Sequence, residues 1–239
     1  MPTTQQAIRM PAAHAYHERA GDVFAEHAAN GPHNAYTDRP AMLTLAGDVA
    51  GLRILDAGCG GGHYAAELVG RGAEVVAVDG SATLVGHARA LLGDHAEVRQ
   101  HDLDAPLAFA ADASFDGVVC ALVLHHLTDR ARFLGEVRRV LRPGGWFLLS
   151  TTHPASDWGY FGGSYFDESW VEFPVADGIT MRFQRMTLES VVTEVLAAGF
   201  VLERLVEPRA VETLRAVNPE RYKRLTERPS FVALRLRRP

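Results

Sequence analysis

Ile54-Leu55-Asp56-Ala57-Gly58-Cys59-Gly60-Gly61-Gly62 decides how this chain folds. The stretch opens as a short apolar strand, Arg53-Ile54-Leu55-Asp56, and runs through glycines into a helical stretch, Tyr64 to Arg71. Glycines at a strand-to-helix turn serve two ends. Some positions there demand a positive φ, and others let a ligand touch backbone with no Cβ in the way. The helix that follows offers unbonded N–H groups and the positive end of its dipole to an electron-rich ligand.

The rhythm repeats outward from this loop. Ala73 to Val78 is a second apolar strand ending in Asp79, and Ser81 to Leu92 is a helix with Ser81 as its N-cap. Ala96–Gln100 and Phe115–Ala121 are further strands, Asp129 to Leu141 is a helix closed by Pro143-Gly144-Gly145, and Trp146–Thr151 is a fifth strand. Near-continuous apolar strands alternating with helices predict a parallel sheet covered on both faces. Residues 1–51 read as a helical lead-in, with Pro40 opening a short helix over Ala41–Ala46. Residues 153–186 break the rhythm with glycines, aromatics and acids. Regularity returns with a helix over Leu188–Ala198, a strand over Phe200–Val206, helical character from Ala210 to Arg228 interrupted by Pro219, and a strand over Ser230–Leu236. The expectation is a single domain over 1–239 with a core at 52–152, an embedded cover at 153–186 and the rest of the sheet at 187–239.

Asp79 stands a little over twenty residues after Asp56, at the end of the second strand. On a Rossmann-like sheet a carboxylate placed there accepts hydrogen bonds from the ribose hydroxyls of an adenosine. A dinucleotide site wants Gly-x-Gly-x-x-Gly. Counted from Gly58 and Gly60, the third position is His63, which speaks against a nicotinamide-dependent oxidoreductase.

The run Asp56-x-Gly58-x-Gly60-x-Gly62 instead resembles motif I of the class I S-adenosylmethionine-dependent methyltransferases. The resemblance continues in order: Asp79-Gly80-Ser81 with the ribose-binding motif, His101-Asp102-Leu103 with the adenine-binding motif, Phe115–Val119 through Leu124-His125-His126-Leu127 with the fourth motif, and Leu141–Gly145 with the turn before the fifth strand. It covers residues 50–152, extends weakly through Ala198-Gly199-Phe200, and is nearest to the small-molecule enzymes of the ubiquinone and menaquinone biosynthesis type.

The resemblance implies a Rossmann-like, seven-stranded, mostly parallel sheet with helices on both faces and an antiparallel last strand. It implies S-adenosylmethionine as cofactor, S-adenosylhomocysteine as product, and a small-molecule acceptor methylated on O, N or C. Carried over residue by residue, Gly58, Cys59 and Gly60 lie against the methionine moiety and ribose. Asp56 orients the loop or reaches the amino group through water. Asp79, with Gly80 and Ser81, holds the ribose. Asp102 and the Leu103 N–H read the adenine, and a carbonyl near Cys120 or Ala121 holds the ammonium. In the lead-in, Arg39 pairs with the cofactor carboxylate, Tyr36 closes over the methionine, and Tyr16 either walls the acceptor site or docks a helix on the sheet.

A sulfonium methyl is already activated, so alignment and exclusion of water come first. A base for the acceptor adds about 10²–10⁴-fold. Bases should stand at the C-terminal ends of strands, where His126 and His153 occur on neighbouring strands and could face one cavity. The alternatives are that His126 packs on cofactor and His153 fixes a turn. His125, His126 and His153 lack the spacing and fourth ligand of a metal site, and Cys59 and Cys120 read as small buried residues.

The acceptor is expected under the cover, where Trp158, Tyr160 and Tyr165 join Phe161, Phe166, Trp170 and Phe173 on glycine-hinged chain. The rings favour an apolar or aromatic acceptor. Asp157, Asp167, Glu168 and Glu172 either attract a cationic amine or form a solvated edge. Composition fits this reading: 47% of the 239 residues are hydrophobic and the net charge is −5, which argues against a nucleic-acid partner. No apolar run reaches the roughly 20 residues that span a bilayer, and two cysteines make no disulfide framework, which points to a cytoplasmic setting; the chain is expected as a monomer or homodimer without a membrane partner. A peptide or protein methyltransferase, or a cofactor-binding protein of this fold doing other chemistry, remain the alternatives.

Overall fold

The computed structural model describes residues 16–176 and 179–239. The first fifteen positions of the lead-in lie outside the described residues. From the lead-in come α1 (Arg19–Asn30), a π-helical turn (Asn34–Asp38) and α2 (Arg39–Ala46). The core follows as β1 (Arg53–Ala57), α3 (His63–Gly70), β2 (Glu74–Asp79), α4 (Ala82–Leu92), β3 (Glu97–Gln100), β4 (Phe115–Ala121), α5 (Arg130–Val140) and β5 (Leu141–Thr152). Then come α6 (Pro154–Phe161), β6 (Trp170–Ala176), β7 (Ile179–Gln184), α7 (Leu188–Ala197), β8 (Val201–Val206), α8 (Thr213–Val217), α9 (Pro219–Glu227) and β9 (Phe231–Arg237).

Seven strands form one sheet in the order β3-β2-β1-β4-β5-β9-β8. β1 to β5 pair in parallel, and β9 runs antiparallel between β5 and β8. Side chains alternate across each strand, and the alternation separates two cores. Leu55, Val76, Val78, Val118, Phe147 and Leu149 pack with Phe133, Leu134 and Val137 of α5 and Val191 and Val195 of α7. Ile54, Val75, Ala77, Val119 and Leu148 pack with Met42 and Leu45 of α2, Leu68 of α3 and Leu92 of α4. Strands apolar on both faces are what a sheet between two helical layers requires.

Helix starts follow side-chain chemistry. Ser81 accepts from Leu84 N at 3.2 Å and caps α4, Asp129 caps α5, and Asn218 caps α9 with Pro219 in its first turn. Gly62, at φ +85°, is the left-handed residue that opens α3.

Two expectations need correction. Residues 153–186 are not irregular: α6 and a separate two-stranded sheet of β6 and β7 occupy most of them. Trp170–Ala176 and Ile179–Gln184 pair antiparallel, with Pro174 placed where the register shifts between Pro174 and Ala176. β5 also begins five residues early, at Leu141, with Pro143-Gly144-Gly145 absorbed where its register with β4 breaks between Phe115 and Gly117.

Candidate functional site

The glycine loop is held from below. The N–H groups of Gly58 and Cys59 both donate to the Val78 carbonyl, at 2.8 and 2.9 Å, which pins the loop to the end of β2. Gly58 has φ +83°, and a Cβ there would stand 2.3 Å from Cγ2 of Val123. The residue must be glycine on conformation and on packing, before any ligand is considered.

The Asp79 carboxylate bridges two loops. Gly60 N donates to Oδ2 and Ser81 N to Oδ1, each at 2.9 Å. Burial pushes its pKa up against those two N–H groups. Asp56, one residue below the loop, is buried and receives the Ala65 N–H from the first turn of α3. Its other oxygen has no hydrogen-bond partner among the described residues, and burial, with the charge of Asp79, raises its pKa to about 7. Asp38 accepts from Tyr64 Oη at 2.5 Å and Ser150 Oγ at 3.1 Å, keeps one oxygen without a partner, and is raised to about 6 by burial. Two buried carboxylates, Asp38 and Asp56, and the half-buried Asp79 therefore gather at one end of the sheet. Buried carboxylates this weakly compensated are costly, and an incoming cation would relieve them.

Asp79 and the glycine loop border a cavity at the C-terminal ends of β1, β2 and β4, where ligands bind in open α/β sheets. Gly58, Cys59, Gly60, Asp79, Gly80, Ser81, Asp102, Leu103, Ala121, His126 and Arg39 line it, as does Tyr16. Asp102 accepts from Asp104 N through Oδ1 at 2.9 Å and lines the cavity. Arg39 donates to the Ala29 carbonyl at 3.0 Å and has no carboxylate at ion-pair distance among the described residues. Phe24 and Ala28 of α1, Tyr64 of α3, and Leu122 and Val123 after β4 also line the cavity and were not foreseen. The spacing of Phe24 and Ala28 on one helical face was their only signal. Leu122 adopts φ +60°, uncommon outside glycine.

Two expected residues lie elsewhere. Asp56 is beneath the loop and reaches the cavity only through its charge. Tyr36 packs with Ala210, Leu214, Leu225 and Tyr222 under α8 and α9, and its carbonyl accepts from Val211 N at 2.8 Å. The π-helical turn carries an extra residue per turn, which rotates Tyr36 away from the cavity.

His126 closes the 3₁₀ turn Leu124–His126 after β4. Its Nδ1 is 2.9 Å from the Arg182 carbonyl, which can only accept, so Nδ1 carries the proton and Nε2 offers a lone pair. Burial lowers its pKa to about 4, so the ring is neutral. His125 turns to Thr151 Oγ1 at 2.8 Å.

His153 does not share this cavity. It caps α6, with Nδ1 accepting from Ala155 N at 3.1 Å and Nε2 lying 2.9 Å from Glu207. Pro154 at the helix start commits the imidazole to capping. Among the described residues no three His, Cys, Asp or Glu side chains converge as metal ligands. Cys59 and Cys120 are buried, and burial pushes both thiols up, away from thiolate.

A second cavity opens at the C-terminal end of β5. Tyr160 and Phe161 of α6, Phe173 of β6, Met181 and Phe183 of β7, and Phe231 supply its apolar wall. Asp157 lines it too, accepts from Thr152 Oγ1 at 2.7 Å, and is raised to about 6 by burial. The partition from the first cavity is thin: the Phe183 ring stands 6.4 Å from His126, and His33 and Asn34, adjacent in sequence, line opposite sides. Trp158 and Tyr165 line neither cavity. They meet edge to face at 6.4 Å, the Trp158 Nε1–H donates to the Gly163 carbonyl, and Tyr165 Oη accepts from Leu188 N. The cover's acids are mostly structural: Glu168 accepts from Thr187, and Asp167 accepts from Ser169.

Residues 55–149 match the family described as Methyltransferase domain. The chain is 44% identical over 108 residues to a probable S-adenosylmethionine-dependent methyltransferase of Mycolicibacterium smegmatis, across 45% of this chain and 40% of that protein. It is 35% identical over 154 residues to a ubiquinone biosynthesis O-methyltransferase of Xanthomonas oryzae pv. oryzae, across 59% of this chain and 64% of that protein. The chain thus spans less than two thirds of the length of these curated relatives. A crystal structure of an S-adenosylmethionine-dependent methyltransferase from Mesorhizobium loti superposes with a TM-score of 0.67 at 28% identity, covering 83% of this chain and 96% of that one.

Proposed function

Because residues 55–149 match the Methyltransferase domain family and the relatives are S-adenosylmethionine-dependent methyltransferases, we propose that the chain transfers the cofactor's methyl group to a small acceptor seated in the second cavity. The observation that carries this is that His126, lining the first cavity, and Phe183, lining the second, hold their rings 6.4 Å apart.

The residues present fit the cofactor. Asp79 would hold the ribose, Asp102 and the Leu103 N–H the adenine, the Ala121 carbonyl the ammonium, and Arg39 the carboxylate. The carboxylates of buried Asp56 and half-buried Asp79 suit a ligand bearing a sulfonium and an ammonium. When bound, that ligand supplies an electrophilic methyl on a neutral leaving group. The protein's part is then alignment, exclusion of water and handling of the acceptor's proton. His126, neutral and with its Nδ1–H fixed on the Arg182 carbonyl, would present Nε2 to the acceptor. The aromatic wall of the second cavity favours an apolar or aromatic acceptor, and the O-methyltransferase among the relatives favours a hydroxyl on it.

The test is transfer of labelled methyl from S-adenosylmethionine to panels of phenols, amines, peptides and purified proteins, with S-adenosylhomocysteine followed as product. Turnover on a small phenol or amine supports the reading. Turnover only on peptides or proteins moves it to those acceptors. Tight cofactor binding with no turnover on any panel favours a protein of this fold with other chemistry.

A further inference from the structure

The second cavity is apolar on one wall and cationic on the other. Arg221, Arg224 and Arg228, spaced i, i+3 and i+7 along α9 and its end, all line it. None of the three guanidinium groups has a hydrogen bond or a carboxylate at ion-pair distance among the described residues. Several other arginines carry ion pairs: Arg130 meets Glu194, Arg139 meets Glu136 and Asp112, and Arg235 and Arg237 share Glu203. The three side chains are exposed, yet their charge reaches the cavity lining: after burial, Arg221 and Arg224 help drive the pKa of His33 down to about 4. Among the described residues the one acid on the lining is Asp157, already bonded to Thr152. In a chain of net charge −5, three uncommitted guanidinium groups around an aromatic pocket form a local inversion of charge.

We infer that the second cavity takes an acceptor with an oxyanion group, a carboxylate or a phosphate, held by Arg221, Arg224 and Arg228, whose aromatic or apolar body lies on Phe173 and Phe183. The assignment rests on the second cavity being the acceptor site. Guanidinium groups suit planar and tetrahedral oxyanions through paired N–H donors, and the rings opposite supply the apolar contact that small-molecule pockets use for most of their affinity. An anion anchored at α9 leaves the other end of an aromatic body directed at Phe183, the side on which His126 stands. A cationic amine, which the acids of the cover had suggested, would meet the wrong charge here.

The test is calorimetric titration of the full chain, with and without S-adenosylhomocysteine, using 3,4-dihydroxybenzoate and phenyl phosphate, their neutral counterparts 3,4-dihydroxybenzamide and phenol, and dopamine as cation. At least one anion should bind about tenfold tighter than its neutral counterpart, and dopamine should bind worst. Arg224→Gln and Arg221→Gln should each remove most of that preference, Arg224→Lys should keep part of it, and Lys223→Gln, outside the cavity lining, should change nothing. Equal binding of anions and neutral counterparts, no binding of either anion, or an equal effect of Lys223→Gln overturns the proposal. If the anions bind but S-adenosylhomocysteine does not, the methyltransferase reading fails and the oxyanion site stands. If S-adenosylhomocysteine binds and the anions do not, the reverse holds.

Discussion

The Tyr16 hydroxyl lies 3.3 Å from Nε2 of His126, on the one ring nitrogen that the Arg182 carbonyl leaves free. Burial and the nearby Asp79 push the Tyr16 phenol far above its ordinary range, so it stays protonated and donates. The residue that caps the lone pair of His126 thus comes from the lead-in, while the residue that fixes its tautomer comes from the β6–β7 hairpin. An acceptor hydroxyl would take the place of the tyrosine O–H on Nε2. His126→Ala should therefore lower turnover by about 10²–10⁴-fold while leaving S-adenosylhomocysteine affinity within a few-fold, as single-turnover assays and calorimetry will read. Unchanged turnover would reduce His126 to a packing residue.

The pH profile separates two candidate bases. His126 acts only when unprotonated, and its pKa is lowered to about 4, so a rate resting on it should stay level from neutral pH to about one unit above that value and fall by half at the value itself. Asp157 is raised to about 6. An acidic limb near pH 6 that disappears in Asp157→Asn would assign the proton transfer to that carboxylate instead.

Asp79→Ala should weaken S-adenosylmethionine and S-adenosylhomocysteine binding tenfold or more, about 1.5–3 kcal/mol for each charged hydrogen bond lost. The same change frees the N–H groups of Gly60 and Ser81, so the melting temperature should fall as well. Calorimetry and thermal melts on one preparation test both. A variant that melts lower yet binds normally would make Asp79 a brace for the loops and nothing more.

Asp56 is about 7 when folded against 3.8 for an ordinary aspartate. Between those values the folded chain holds a proton that the unfolded chain has released, so this residue's contribution to stability falls as pH rises through the window. Asp56→Asn keeps the shape without the charge. It should raise stability at pH 8, by about 1–3 kcal/mol, and change little at pH 4. Denaturant titrations at the two pH values provide the check, and an equal effect at both would remove Asp56 from the linkage. Asp38, raised to about 6, acts in the same direction, whereas His33 and His126, both lowered to about 4, add stability as pH rises from about 4 to 6.5.

Gly58→Ala should cost about 2 kcal/mol or more, from its positive φ and from the clash with Val123. Adding Val123→Ala should recover the steric part only. Full recovery in urea unfolding would show that backbone conformation there carries no cost.

The parallel strands and the glycine loop were legible because they are local. A strand apolar on both faces, a glycine turn and an acid at the end of the next strand lie within about thirty residues, and the fold places them side by side. The second cavity was legible only in halves. Its aromatic wall stood out as composition, but its arginines lie in α9, and nothing local reveals which distant surface a helix will face. Tyr36 and Tyr16 were indistinguishable as lead-in aromatics until the π-helical turn sent one under α9 and left the other over the loop. His153 carried a visible signal, the following Pro154, which marked it as a cap and not a base.

The place of β9 between β5 and β8 also governs assembly in time. On a ribosome β8 emerges before the strand that joins it to the sheet exists, so it waits, with Leu202 without its lasting neighbours, until residues 231–237 have left the exit tunnel. Neighbouring strands of the parallel core need no such delay. Shortening the chain ahead of Phe231 would strip two strands from the sheet and not one, and would expose the flank of β5 as a pairing edge for other molecules.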